Sequence, residues 1–134
     1  RKYMDESNEV KEPSQDRLTM TLNQELDNLK ADYPEISAAA IVSADGNLLA
    51  ARPEGAGDER LAAMSAFLLN SVKKAGEGLG WSKPGYILVQ HPDGYLLAAQ
   101  AGKSIITLAT APRVKLGLLL YDLQQSAARL KKVD

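Results

Sequence analysis

Four short stretches of this chain carry residue types that could do chemistry. Ala101-Gly102-Lys103-Ser104 repeats the end of a phosphate-binding loop, in which backbone N–H groups cradle phosphate and the lysine reaches its oxygens. That loop needs another glycine five residues before Gly102, where Leu97 stands, and a helix after it, whereas strand-like apolar runs flank it on both sides. A β-turn at Gly102 is the reading that fits. Gly76–Gly80 (GEGLG) has the glycines of a dinucleotide loop, but with the wrong spacing and at the end of a helical pattern instead of its start. His91 is the only histidine and cysteine is absent, which leaves no ligand set for a metal and no nucleophile for the imidazole to activate. Trp81 is expected to cover one end of the core. The carboxylates are dispersed, with no pair that reads as an acid/base couple. The expectation is a protein that is not an enzyme, with no catalytic residue, metal or cofactor.

Composition supports that restraint. The 134 residues suit one domain with a real core, and 45% apolar with 25% charged residues is ordinary for a soluble globular chain. A net charge of −1 gives no general attraction to nucleic acid or to an anionic membrane. No apolar run is long enough to insert in a membrane, and the amino end is charged, so a cytoplasmic protein is expected.

The elements that would position any site follow from periodicity. Residues 1–15 are polar and aperiodic, a flexible leader, and residues 16–134 form the domain. Leu18, Leu22, Leu26, Leu29 and Tyr33 line one face of a helix from Asp16 that Pro34 ends. Ile36–Ser43 and Leu48–Arg52 are strands. Asp58 can cap a helix running to about Ala75, where Gly76, Gly78 and Gly80 stop it. Its core stripe is predicted as Leu61, Met64, Leu68, Val72 and Ala75, widened by Ala62, Ala66 and Leu69, with Phe67 nearly opposite. Three further strands follow: Gly85–Gln90, Tyr95–Ala101 and Ile105–Thr110. Thr110 can then cap a last helix carrying Leu116, Leu120, Leu123, Ala127 and Leu130, with Pro112 in its first turn. Short connections make the strands antiparallel, so the order α-β-β-α-β-β-β-α is an α+β domain with a five-stranded sheet.

One repetition runs through this layout. SADGNLLAA (Ser43–Ala51) and HPDGYLLAA (His91–Ala99) share Asp-Gly and Leu-Leu-Ala-Ala. Both Asp-Gly pairs are predicted as hairpin turns, and both Leu-Leu-Ala-Ala runs as strands covered on two faces.

Two features point to association. The middle helix is apolar over more of its surface than one sheet can cover. The strand Tyr86–Gln90 is placed at a sheet edge and carries little charge to blunt it. Self-pairing across a two-fold axis satisfies both.

From Leu18 to Val133 the chain resembles the roadblock family of small dimeric proteins, which includes dynein light chains and bacterial regulators of Ras-like GTPases. The opening helix, AAAIVSADGNLLAA, the Asp58-led Ala/Leu helix, LGWSKPGYILVQHPDGYLLAAQAGKSIITLA and GLLLYDLQQSAARL carry the resemblance. It implies a profilin-like three-layer fold, with the first and last helices on one face of the sheet and the middle helix on the other. It also implies a homodimer joined through the middle helix and third strand, by position Ala62, Ala66, Leu69 and Lys73 with Tyr86, Ile87 and Leu88. In GTPase-regulating members the paired middle helices form the platform for the GTPase, which makes Ala63, Phe67, Asn70 and Lys74 the candidates here.

The functional expectation is a homodimeric regulator or scaffold of a small Ras-like GTPase. No arginine follows Arg60 in the middle helix, which argues against an arginine finger from that surface. Such a protein can instead act by preferring one conformation of the GTPase. The alternatives are an adaptor subunit of a motor or membrane-signalling complex with no effect on GTP hydrolysis, and a small-molecule sensor domain, for which the sequence offers no polar cluster to line a cavity.

Overall fold

The computed structural model describes residues 13–55 and 58–133. The elements are α1 (Pro13–Asp32), β1 (Ile36–Ser43), β2 (Leu48–Arg52), α2 (Asp58–Gly78), β3 (Tyr86–His91), β4 (Gly94–Ala101), β5 (Ser104–Thr110) and α3 (Leu116–Lys131). The five strands form one antiparallel sheet in the order β2-β1-β5-β4-β3. The expected α+β order is therefore the observed one.

Strand alternation divides the core into two layers. Ala39 and Ile41 on β1, Leu97, Ala99 and Ala101 on β4, and Ile106 and Leu108 on β5 pack against Leu22, Leu26, Leu29 and Tyr33 of α1 with its following turn and Leu119, Leu123, Ala127 and Leu130 of α3. The alternate residues Ala40, Val42, Ala98 and Ile105, with Ile87 on β3, pack against Ala62, Ala66 and Leu69 of α2. The central strands are thus buried on both faces, which is why their sequences lack the polar alternation of a half-exposed strand.

Several boundaries differ from expectation for local reasons. α1 begins at Pro13, so residues 13–15 of the expected leader are helical; proline suits a first turn, where its missing N–H has no partner to lose. Residues 1–12 of that leader lie outside the described residues, as does any cap made by the Asp58 side chain. α2 continues through Gly76 to Gly78, because only Gly80 takes the left-handed φ of +76° that turns the chain away. Thr110 does not cap α3. Its hydroxyl bonds to the Ala111 carbonyl, Pro112 lies in an intervening turn, and the helix starts at Leu116 after Lys115, which supplies no side-chain cap.

The two Asp-Gly pairs prove to be different devices. Gly46 sits in a four-residue connection from Ser43 to Leu48, with φ +91°, and Ser43 Oγ accepts from the Asn47 N–H at 3.0 Å. Gly94 is instead the first residue of β4, paired with His91 across a two-residue turn of Pro92 and Asp93. A Cβ there would stand 1.8 Å from the Thr110 carbonyl oxygen. The second glycine is required by close approach of a neighbouring strand as well as by its backbone angle.

No helix among the described residues is long and apolar enough to cross a membrane.

Candidate functional site

The Gly-Lys-Ser and glycine-rich stretches are turns, as their sequence context predicts. Gly102 turns β4 into β5 with φ +67°, so the Gly-Lys-Ser run is a hairpin connection and no helix follows it. His91 is exposed at the end of β3. No three His, Asp or Glu residues among the described residues are grouped to hold a metal ion. The residues expected to bind partners are organised around α2.

The face α2 lays on the sheet is built from small residues. Ala62, Ser65 and Ala66 let the helix approach closely, and Ser65 Oγ donates to Thr107 Oγ1 on β5 at 2.8 Å. Ala62, Ala66 and Leu69 are 0%, 4% and 2% exposed, so their side chains pack on the sheet of the same chain. Three of the residues expected at a dimer interface are thus buried against the chain's own sheet, and Lys73, in phase with them, is half-buried. The core stripe predicted through Met64, Val72 and Ala75 is displaced too. Those three are exposed, while Leu61 and Leu68 are half-buried beside the second core layer. Periodicity gave the correct pitch but centred the stripe on the bulkier residues, whereas a close sheet selects the smaller ones.

The helix thereby presents two free flanks. Ala63, Phe67, Asn70 and Lys74, the candidate partner surface, are all exposed and lie together on one side; Phe67 is 63% exposed, a large apolar ring in water. This side adjoins the β1–β2 connection, since a Cβ on Gly46 would meet the Ala63 Cα at 3.5 Å. The opposite flank carries Leu61, Met64, Leu68, Val72 and Ala75 and faces the β3 side, because Val72 and Ala75 share a groove with Pro84, two residues before β3.

β3 is an outer strand of the sheet, with no neighbouring strand on its far side among the described residues. Ile87 is buried under α2, whereas Tyr86 and Leu88 alternate to the α3 side and are exposed. The strand carries no charged residue to discourage pairing. The other edge is blunter. β2 is five residues long, and its Arg52 is tied to Asp27 of α1 at 2.9 Å.

Between α2 and β3 the chain closes a Schellman turn: Gly80 N–H bonds to the Glu77 carbonyl at 3.0 Å and Trp81 N–H to the Gly76 carbonyl at 2.8 Å. This sets Trp81 back over Ala75 and Gly76, where it walls a groove of about 270 Å³ with Val72, Leu79, Ser82 and Pro84. Trp81 is 69% exposed, so it does not seal the core as expected.

Two partly buried polar links, not anticipated from the sequence, join α1 and its following turn to α3. Glu25, nearly buried, accepts from Arg129 Nε at 2.7 Å and Ser126 Oγ at 3.1 Å. Its carboxylate holds the Arg129 guanidinium pKa above the usual value, against the lowering effect of burial. Tyr33 donates to the Asp122 carboxylate; burial first, and then that bond, push its pKa above the ordinary phenol value. The available signal was a polar residue in phase with an apolar stripe, as Glu25 and Ser126 are.

Comparison with known proteins places this arrangement. The Roadblock/LC7 domain profile matches residues 22–110, from α1 to the end of β5. The chain belongs to the Roadblock/LC7 domain family. A Roadblock/LC7 domain from Streptomyces avermitilis superposes with TM-score 0.76 at 17% identity, over 83% of this chain and 95% of that one. MglB in a tetrameric arrangement gives TM-score 0.75 at 16% identity, over 92% of each chain. Profilin IB from Acanthamoeba castellanii gives 0.57 at 18% identity, over 78% of this chain and 91% of that one, and shares the layered plan. No curated protein matches the chain by sequence. At such identities the structural likeness speaks for the Roadblock/LC7 fold alone.

Proposed function

We propose that this Roadblock/LC7 domain is a homodimeric regulator or scaffold of a small Ras-like GTPase, acting by binding and without a catalytic site of its own. The observation that carries the reading is the uncharged, unpaired β3 edge lying beside an exposed apolar flank of α2. A two-fold axis perpendicular to the sheet at that edge pairs β3 with its copy in antiparallel fashion, extends the sheet, and sets both α2 helices side by side on one face. The interface then consists of the β3 backbone with Leu61, Met64, Leu68 and Val72, in place of Ala62, Ala66 and Leu69. The tetrameric arrangement of the related MglB supports self-association in a protein of this fold.

In such a dimer Ala63, Phe67, Asn70 and Lys74 from two helices stay open as one platform. A platform with an exposed aromatic ring and a lysine suits a protein partner better than a small molecule. Family membership is what directs the choice of partner to a Ras-like GTPase, and a cytoplasmic setting goes with it. The test is single-turnover GTP hydrolysis by the cognate GTPase with and without this protein, together with its affinity for the GTP and GDP forms. A change in rate or a preference for one nucleotide state is expected. Equal affinities and an unchanged rate would assign the protein to an adaptor role.

A further inference from the structure

A second groove lies on the face of the sheet away from α2, where α1 ends and α3 begins. The two helices run antiparallel, as the Glu25–Arg129 and Tyr33–Asp122 links show, so the turn at residues 32–35 meets the first turns of α3. Tyr33, Pro34 and Leu118 wall a cavity of about 370 Å³ there, and Asp32, Glu35 and Asp122 stand around it. None of these three carboxylates is ion-paired among the described residues, and Lys115 shares the lining without pairing with any of them. Tyr33, only 5% exposed, donates to Asp122, and its oxygen accepts no hydrogen bond among the described residues. The polar lining is therefore almost all acceptor, and it suits a ligand that brings N–H donors and positive charge.

The apolar surface beside the groove narrows the choice of ligand. Leu118 and Tyr121 are 57% and 60% exposed and stand three residues apart on α3, so they carry the groove's apolar wall outward as a strip. A small cation would use the carboxylates and leave that strip in water. An arginine within a peptide serves both parts. Its planar guanidinium can lie on Pro34 and Leu118 while its fork donates to the carboxylates, and an apolar neighbour covers the strip. We propose that the α1–α3 groove docks an exposed segment of a partner protein, seating an arginine among Asp32, Glu35 and Asp122 and an adjacent apolar residue on Leu118 and Tyr121. Because the groove is on the other face from α2, it stays open when α2 is occupied, and it depends neither on self-association nor on the GTPase.

The probe is a phage-displayed library of random heptapeptides, panned on the full chain. Enriched peptides are expected to share an arginine beside an apolar residue. The most enriched peptide, made synthetically, is then titrated into isotope-labelled protein, and its amide shifts are expected at residues 32–35 and 115–122. Replacing its arginine by citrulline, a neutral isostere, should weaken binding about tenfold or more. The double variant Asp32→Asn, Glu35→Gln alters an exposed and a half-buried side chain, so its spectrum should stay native while affinity falls by about the same factor. Leu118→Ser, also at an exposed position, tests the apolar half and should weaken the peptide but not acetyl-arginine amide. The site is overturned by a library that yields no arginine-containing peptide, by shifts confined to α2, or by equal binding of the arginine and citrulline peptides. Unaltered affinity in the carboxylate variant overturns it as well. Acetyl-arginine amide binding as tightly as the whole peptide would mark a small-cation site and overturn the docking of a segment.

Discussion

Ser65 on α2 donates to Thr107 on β5 at 2.8 Å in a buried contact, and the Thr107 hydroxyl donates in turn to the Leu97 carbonyl at 3.0 Å. This relay fixes how α2 is rotated on the sheet. With Ser65 aimed at β5, Phe67 turns to the outside and Met64 to the β3 flank, so both proposed binding surfaces depend on one buried hydroxyl pair. Thr107→Val keeps the shape but strands the Ser65 hydroxyl, and is expected to cost about 1–2 kcal/mol in urea unfolding. Adding Ser65→Ala should recover part of that loss, since the orphaned donor is then gone.

The Asp-Gly pairs should respond unequally to the same change. Gly46→Ala meets only ordinary contacts but must hold a φ of +91°, a strain of about 1–2 kcal/mol. Gly94→Ala would place its Cβ 1.8 Å from the Thr110 oxygen and force β4 from the end of β5, with an expected loss above about 4 kcal/mol or no folded protein. Thermal or denaturant melts of the two variants provide the comparison.

Tyr33 predicts a dependence on alkaline pH. Its pKa is raised in the folded state, while the unfolded chain releases the phenol proton near 10. The stabilisation is therefore complete below pH about 10 and declines as pH rises from there toward the folded value. Tyr33→Phe should flatten this part of the stability profile, measured as the difference from the unaltered protein between about pH 8 and 11.

Arg129→Met leaves the Glu25 carboxylate buried with Ser126 as its remaining side-chain partner. A loss of about 2 kcal/mol is expected, at the modest end for a charged acceptor because the guanidinium is itself half in water. The companion change Glu25→Gln should cost less, since a neutral amide tolerates burial better.

The partner surface is tested apart from stability. Phe67→Ala and Lys74→Glu alter exposed side chains, so melting temperature and oligomeric state should stay unchanged. Affinity for the GTPase is expected to fall about tenfold or more for Phe67→Ala, measured by calorimetry.

The strands and their order along the chain were readable because short turns and uninterrupted apolar runs leave few ways to fold Ile36–Arg52 or Tyr86–Thr110, whereas the pairing of β1 with β5 that joins them was not. The outer position of β3 was readable too, from its lack of charge and its place after a loop. The rotation of α2 was not. With apolar residues on several sides of the helix, periodicity could not choose between Met64–Leu68–Val72 and Ala62–Ala66–Leu69, and the choice came from Ser65 finding Thr107, 42 positions away. The Glu25–Arg129 and Tyr33–Asp122 links are longer still in sequence, 104 and 89 positions apart, and become visible only when α1 and α3 are laid side by side.

The proposed self-association through β3 and the flank of α2 underlies the platform, and sedimentation equilibrium over a concentration series measures it most directly. The account predicts a species of about twice 14.4 kDa at tens of micromolar, dissociating on dilution and weakened by Met64→Lys or Val72→Lys with the fold intact. A species of 14.4 kDa throughout that range would contradict it.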